Sequence, residues 1–134
     1  MDEVIEFYEE FKQIEHINEY PAMLTNERSE LKIDILQEEV NELKDAYKNY
    51  DIVSTVDALC DIRYVLDGII LEHGLLEIFD KCYKEVHRSN MSKLDENGEP
   101  LFREDGKIMK SNLYIKPDLR SIIIDRLNEQ QSSI

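Results

Sequence analysis

The strongest chemical signal in this chain of 134 residues is two short acidic runs. Glu39 and Glu42 are three residues apart, so on a helix of about 3.6 residues per turn they fall on one flank of the Leu36, Val40 and Leu43 stripe and can reach one ion together. Asp57 and Asp61, four residues apart, open a second stripe that continues through Tyr64 and Gly68. Val56, Leu59, Ile62, Val65, Leu66, Ile69 and Ile70 surround that stripe, and ionised carboxylates in such company are costly without compensation. A divalent cation compensates them. Mg2+ takes oxygen ligands, keeps waters and adds substrate phosphates to a few carboxylates, which suits Glu39, Glu42, Asp57 and Asp61 on two facing helices, with Mn2+ as a substitute. Two plainer readings compete with the metal. A Glu-rich helix face is usually only solvated, and Asp57 and Asp61 can be read as ion-pair partners of Arg28, Lys32 or Arg63. Glu38 sits further toward solvent, but its spacing from Glu42 lets it lean over the same site as a base or supporting group.

The elements that must position these groups read as helices. Val4, Ile5, Phe7, Tyr8, Phe11 and Ile14 predict a first amphipathic helix over residues 3–16, ending before Asn18-Glu19-Tyr20-Pro21. Thr25 or Asn26 caps a second, in which Leu31, Ile33, Leu36, Val40, Leu43 and Tyr47 recur every three or four residues up to about Tyr50. A third runs from about Val53 to His73, is apolar nearly all round and is therefore expected to be largely buried, with Gly74 as its left-handed stop. Leu75 to about His87 reads as a fourth. Asn97-Gly98 and Asp105-Gly106 are turn signals around Leu101-Phe102-Arg103, so residues 94–116 are expected to form a loop with a short β-hairpin. Pro117-Asp118 starts a last helix through about Leu127, beyond which Gln130 to Ile134 are expected to fray. The expected fold is all-α, an antiparallel bundle of four to five helices with that short hairpin insertion, forming one domain over 1–134.

Composition narrows the function classes. The chain is 42% hydrophobic and 34% charged with four Gly and three Pro, which favours helices, and its net charge of -14 argues against nucleic acid polymers as partners. Cys60 and Cys82 lack metal-ligand spacing and read as reduced thiols. No apolar run approaches the roughly 18 residues of a membrane span, so no membrane partner and a cytoplasmic location are expected. The apolar third helix and Ile122, Ile123 and Ile124 exceed what one short bundle buries, which predicts a homodimer or a dimer of dimers.

Leu36-Gln-Glu-Glu-Val-Asn-Glu-Leu43 followed by Asp57-Ala-Leu-Cys-Asp-Ile-Arg-Tyr-Val65 resembles the all-α nucleoside triphosphate pyrophosphatase superfamily, which includes MazG-type enzymes. Val86-His-Arg-Ser-Asn-Met-Ser-Lys93 and Gly106-Lys-Ile-Met-Lys110 resemble later signatures of its phosphoribosyl-ATP pyrophosphohydrolase-like branch. The resemblance spans residues 24–120. It implies that Glu39 and Glu42 bind Mg2+ while Glu38 assists, and that a nucleoside triphosphate is cleaved between the α and β phosphates to a monophosphate and pyrophosphate. Many members carry an acid three residues before the position of Asp61, where this chain has Ala58, so Asp61 carries over directly and Asp57 rests on helical spacing alone.

Charge distribution adds to this reading, because residues 81–116 hold eight of the 16 basic residues and only six of the 30 acidic ones. Lys93, Lys107 and Lys110 are candidates to neutralise the triphosphate, and Asn90 to hydrogen-bond ribose or base, against the plainer reading that they solubilise a loop. Arg28 and Lys32 share the flank of Glu39 and Glu42 and suit either phosphate contacts or salt bridges, the latter being commoner. Tyr64 suits base stacking or core filling. His87 suits a phosphate or the end of a helix dipole, and His16 and His73 read as structural. The competing functions are a non-catalytic helical binding or oligomerisation module that uses its acids for ion pairs, and phosphoribosyl-ATP hydrolysis in histidine synthesis.

Overall fold

Thr25 starts the longest helix, its hydroxyl oxygen accepting the Arg28 N–H at 3.2 Å and satisfying one of the amide donors that a helix start leaves unpaired. In the computed structural model, which describes residues 1–132, the elements are α1 (Asp2–Glu10), α2 (Asn26–Lys48), α3 (Ile52–Glu72), α4 (Phe79–Met91), β1 (Leu101–Phe102), β2 (Ile108–Met109) and α5 (Leu119–Ser132). The architecture is therefore all-α with one small antiparallel hairpin. Two compact units divide it, Met1–Leu76 and the residues from Glu77 onward. Among the described residues no helix is long and apolar enough to cross a membrane, and Cys60 and Cys82 are both free thiols.

In the first unit, α2 and α3 form a tight αα-hairpin. Tyr50 takes a left-handed backbone (φ +51°), which lets the Asp51 N–H reach back to the Ala46 carbonyl at 3.1 Å. Asp51 then caps α3 by accepting from the Val53 and Ser54 amides at 3.0 and 3.3 Å. Val4 and Tyr8 of α1 pack on Leu71 of α3 to form the core of the unit. Gly68 makes room for that contact, since a Cβ there would stand 2.8 Å from the Tyr8 hydroxyl. The chain between α1 and α2 crosses the end of α3, where the Ala22 amide donates to the His73 carbonyl at 3.0 Å and the His73 Nδ1 meets the Ala22 carbonyl at 2.8 Å. Gly74 is required twice over at this crossing, by its φ of +70° and by a Cβ position 2.1 Å from the Tyr20 carbonyl oxygen.

The interaction that joins all three helices centres on Glu72, whose side chain is 0% exposed. Arg28 Nε donates to Glu72 Oε1 at 2.6 Å and its Nη2 to Oε2 at 3.2 Å. Lys32 Nζ reaches Oε2 at 2.7 Å, and the Tyr8 hydroxyl donates to the same oxygen. Burial alone pushes the Glu72 carboxyl pKa up, but the bonds from Arg28, Lys32 and Tyr8 together hold it below the ordinary value. The Tyr8 hydroxyl, buried and bonded to Glu72, is held well above the usual phenol range and stays a donor.

In the second unit, Glu85 holds α4 to the start of α5. Its carboxylate accepts from Arg88 Nη2 at 2.7 Å and from the Asp118 amide at 2.9 Å, and these bonds, the Arg88 one foremost, pull its pKa down to about 2. Asp118 in turn accepts from the Ser121 amide at 3.2 Å. The hairpin pairs Leu101 with Met109 and Phe102 with Ile108, closed by Arg103 donating to the Lys107 carbonyl at 2.7 Å. Asp105-Gly106 supplies its turn, while Asn97-Gly98 lies in a preceding turn folded around Asp95.

Four expectations need correction. The first helix stops at Glu10 instead of reaching residue 16, because Lys12 (φ +57°) ends it with its amide bonded to Glu9 and the Gln13 amide bonded to Tyr8 at 2.8 Å. That is a Schellman end made without glycine. Only a 3-10 turn, Ile14–His16, follows. The fourth helix runs four residues later than its expected bounds, Phe79–Met91, because the end of α3 uses the Leu75 amide to bond Ile70. The third helix is not buried all round: Ile52, Val53, Val56 and Leu59 are 72%, 75%, 52% and 48% exposed. Finally, α5 continues through Gln130 and Ser132, where fraying is expected from sequence; Ser133 and Ile134 lie outside the described residues.

Replacing Glu72 with Gln leaves the Arg28 and Lys32 charges uncompensated and should cost about 3–5 kcal/mol in urea unfolding at neutral pH. Because the Glu72 pKa is depressed, its contribution is present above the unfolded carboxyl value of about 4.3 and is lost as pH falls through the lower folded value. The gap between wild type and Glu72→Gln should therefore narrow below that pH. A difference under about 1 kcal/mol at pH 7 would show that the cluster does not hold the helices together.

Candidate active site

Antiparallel packing of α2 on α3 sets residues whose numbers add to 100 opposite one another, as the Arg28–Glu72 pair shows. The same register brings Glu39 to Asp61. Glu39, Glu42 and Asp61 each offer a carboxylate oxygen, and the three oxygens lie within 4.8 Å of one another. Glu39 and Asp61 are half-buried and Glu42 is exposed. Glu39 Oε2 is buried without a hydrogen-bond partner among the described residues. Burial first, then the charges of Glu42 and Asp61, push the Glu39 pKa above its ordinary value.

The three bases read from sequence as partners for these acids are engaged elsewhere. Arg28 and Lys32 are bound to Glu72, and Arg63 lies 3.8 Å from Asp67. The ion-pair reading of Asp61 is thus not what the packing adopts. Three convergent oxygen donors, one of them a buried orphan, fit a hard divalent cation that retains waters. Asp57 is exposed and lies outside the convergent group, as does Glu38. The Glu38 charge nonetheless adds to the upward push on Glu39.

A cavity of about 460 Å3 adjoins the carboxylates, lined in part by Phe7, Tyr8, Lys32, Glu39, Asp61 and Tyr64. Tyr64 meets Phe7 edge to face at 5.7 Å between ring centroids, and its hydroxyl donates to the Glu3 carbonyl at 3.3 Å. Sequence reasoning treated α1 only as core and passed over Phe7, Tyr8 and Glu72. The one available signal was Glu72 closing the apolar run Gly68-Ile69-Ile70-Leu71, where an acid must find cations, and Arg28 and Lys32 are the cations that the hairpin register sets nearby.

The residues from the basic segment all belong to the second unit. Asn90 is exposed near the end of α4, and Lys93 is half-buried just after it. The Ser111 amide bonds the Lys93 carbonyl at 3.3 Å, so Lys93 and Lys110 spring from neighbouring stretches of backbone. Lys110 Nζ stands 4.5 Å over the Tyr114 ring. Lys107 is exposed at the hairpin turn. Arg88 is committed to Glu85 through two bonds.

A family model described as phosphoribosyl-ATP pyrophosphohydrolase matches residues 4–90. The match covers α1 to α3 and nearly all of α4, with Glu39, Glu42 and Asp61 inside it, and leaves Lys93, Lys107 and Lys110 outside. No curated protein matches the chain.

Crowding three like charges without a cation should destabilise the metal-free protein. Glu39→Gln is therefore expected to raise the thermal midpoint in chelator by a few degrees, a gain on the order of 1 kcal/mol, and to abolish the midpoint rise that Mg2+ gives the wild type. An unchanged midpoint in chelator together with a preserved Mg2+ response would contradict the assignment.

Proposed function

The chain belongs to the phosphoribosyl-ATP pyrophosphohydrolase family, and from that premise we propose that it is a Mg2+-dependent pyrophosphohydrolase cleaving a (deoxy)nucleoside triphosphate to the monophosphate and pyrophosphate. Family membership supports the coarser statement, a nucleotide pyrophosphohydrolase type of activity. The observation that carries the finer one is the convergence of Glu39, Glu42 and Asp61, one with an unpartnered buried oxygen, in the matched segment. The family description equally supports phosphoribosyl-ATP as the substrate, so both belong in one substrate screen.

In this proposal Glu39, Glu42 and Asp61 hold Mg2+, which when bound neutralises phosphoryl charge and lowers the pKa of a coordinated water. Hydrolysis of the α–β anhydride adds one water and separates the two phosphate products. Glu38, exposed and one turn before Glu42, takes the proton that the attacking water gives up. Lys93, Lys107 and Lys110 neutralise phosphate charge and Asn90 hydrogen-bonds ribose or base, on the strength of the positive charge of their segment. Asp57, exposed, contributes to the field rather than as a direct ligand. The uncovered apolar face of Ile52, Val53, Val56 and Leu59 supports a homodimer or a dimer of dimers, and a monomer by light scattering at micromolar concentration would rule that out.

Pyrophosphate release measured over the ordinary and modified (deoxy)nucleoside triphosphates and phosphoribosyl-ATP tests the proposal. Glu42→Gln and Asp61→Asn should each lose at least about 100-fold in Mg2+-dependent release. Glu38→Gln should lose about 100-fold in turnover yet keep the Mg2+-dependent thermal shift. Full release by Glu42→Gln and Asp61→Asn, or no release from any substrate, would leave the helical binding module as the better reading.

A further inference from the structure

The cavity beside Glu39 and Asp61 is built asymmetrically. Phe7, Ile35, Tyr64 and Val65 give it apolar and aromatic walls, and the Tyr8 ring closes against the bare Gly68 backbone, where a Cβ would stand 2.8 Å from the Tyr8 hydroxyl. Among the described residues its one cationic group is Lys32, whose side chain is 15% exposed. An ammonium has three N–H donors. Lys32 directs one to Glu72 Oε2 at 2.7 Å and one to the Tyr8 hydroxyl oxygen at 3.0 Å, and the third has no acceptor among the described residues. The Tyr8 proton is itself committed to Glu72. Arg28 and Lys32 set against Glu72 leave this end of the cavity with one net positive charge.

A phosphate does not suit this end. One free N–H among apolar walls would leave most of its charged oxygens unsatisfied, whereas the carboxylates on the same cavity provide a metal-held place for phosphates. A planar heterocycle suits it better, with one face against the aromatic wall that Phe7 and Tyr64 form together and a single acceptor toward Lys32. Resting on the pyrophosphohydrolase reading, we infer that Lys32 makes this cavity a pocket selective for nucleobases that present a carbonyl oxygen, of the uracil, thymine, guanine or hypoxanthine kind. An adenine or cytosine amino group in the same place sets donor against donor and leaves both buried and unpaired.

Matched pairs differing only in that edge test the inference: UMP against CMP and IMP against AMP, titrated calorimetrically into the full chain with Mg2+. UMP and IMP should bind at least about tenfold more tightly than their amino counterparts. Lys32→Met should level each pair to within about twofold, since Arg28 still balances Glu72 and the fold is retained, and Lys32→Gln, whose amide offers donor and acceptor alike, should do the same. Tyr64→Ala should weaken all four ligands together. Equal binding within each pair by the wild type, a preference that survives in both Lys32 variants, or no binding by any of the four overturns the inference. Monophosphate binding requires no hydrolysis, so this outcome is read separately from pyrophosphate release.

Discussion

A carboxylate sealed from solvent needs its charge answered locally, and in this protein that constraint falls on Glu72. Arg28 and Lys32 answer it from α2 and Tyr8 from α1, so one buried cluster fixes how three helices meet. Two consequences follow for the site. The register that pairs Arg28 with Glu72 is the one that sets Glu39 against Asp61. Binding Arg28 and Lys32 to Glu72 also engages two cations that could answer the acid trio further along the hairpin, leaving Glu39, Glu42 and Asp61 crowded and Glu39 Oε2 without a partner among the described residues. The stabilising charge cluster and the cation-hungry one are parts of one arrangement.

Much of this was legible in the sequence, and the parts that were not share physical causes. The convergence of Glu39, Glu42 and Asp61 could be anticipated because helical spacing projects onto a face, and a face is nearly all that a carboxylate cluster on two helices needs. Asp57 satisfied the same spacing but is exposed, since a stripe does not say where along its length the partner helix covers it. The ends of α1 and α2 were misplaced or blurred because Lys12 and Tyr50 carry the left-handed turns that sequence reading assigns to glycine. Gly74, where the residue type and the geometry agree, was read correctly. Glu72 was missed because its role depends on two cations, Arg28 and Lys32, far away in the chain and visible only once the hairpin register is known. The third helix was expected to be buried because its composition is apolar, but composition does not distinguish burial within the chain from a face such as Ile52, Val53 and Val56 that stays open.

The family match and the geometry bear on different questions. The match over residues 4–90 assigns the family and the type of activity, and it ends before the lysines that sequence charge singled out. Within the matched helices, Phe7, Tyr64 and Lys32 line the same cavity as Glu39 and Asp61. Lys32 links the two halves of this account, since it completes the buried charge cluster and also lines the cavity.

The central claim is that Glu39, Glu42 and Asp61 form a divalent-cation site. Anomalous diffraction from crystals grown with Mn2+ tests it most directly, because the scattering locates the ion without reference to activity. The account predicts a peak within coordinating distance of all three carboxylates. Anomalous density bound elsewhere, or none at this site under saturating Mn2+, would contradict it.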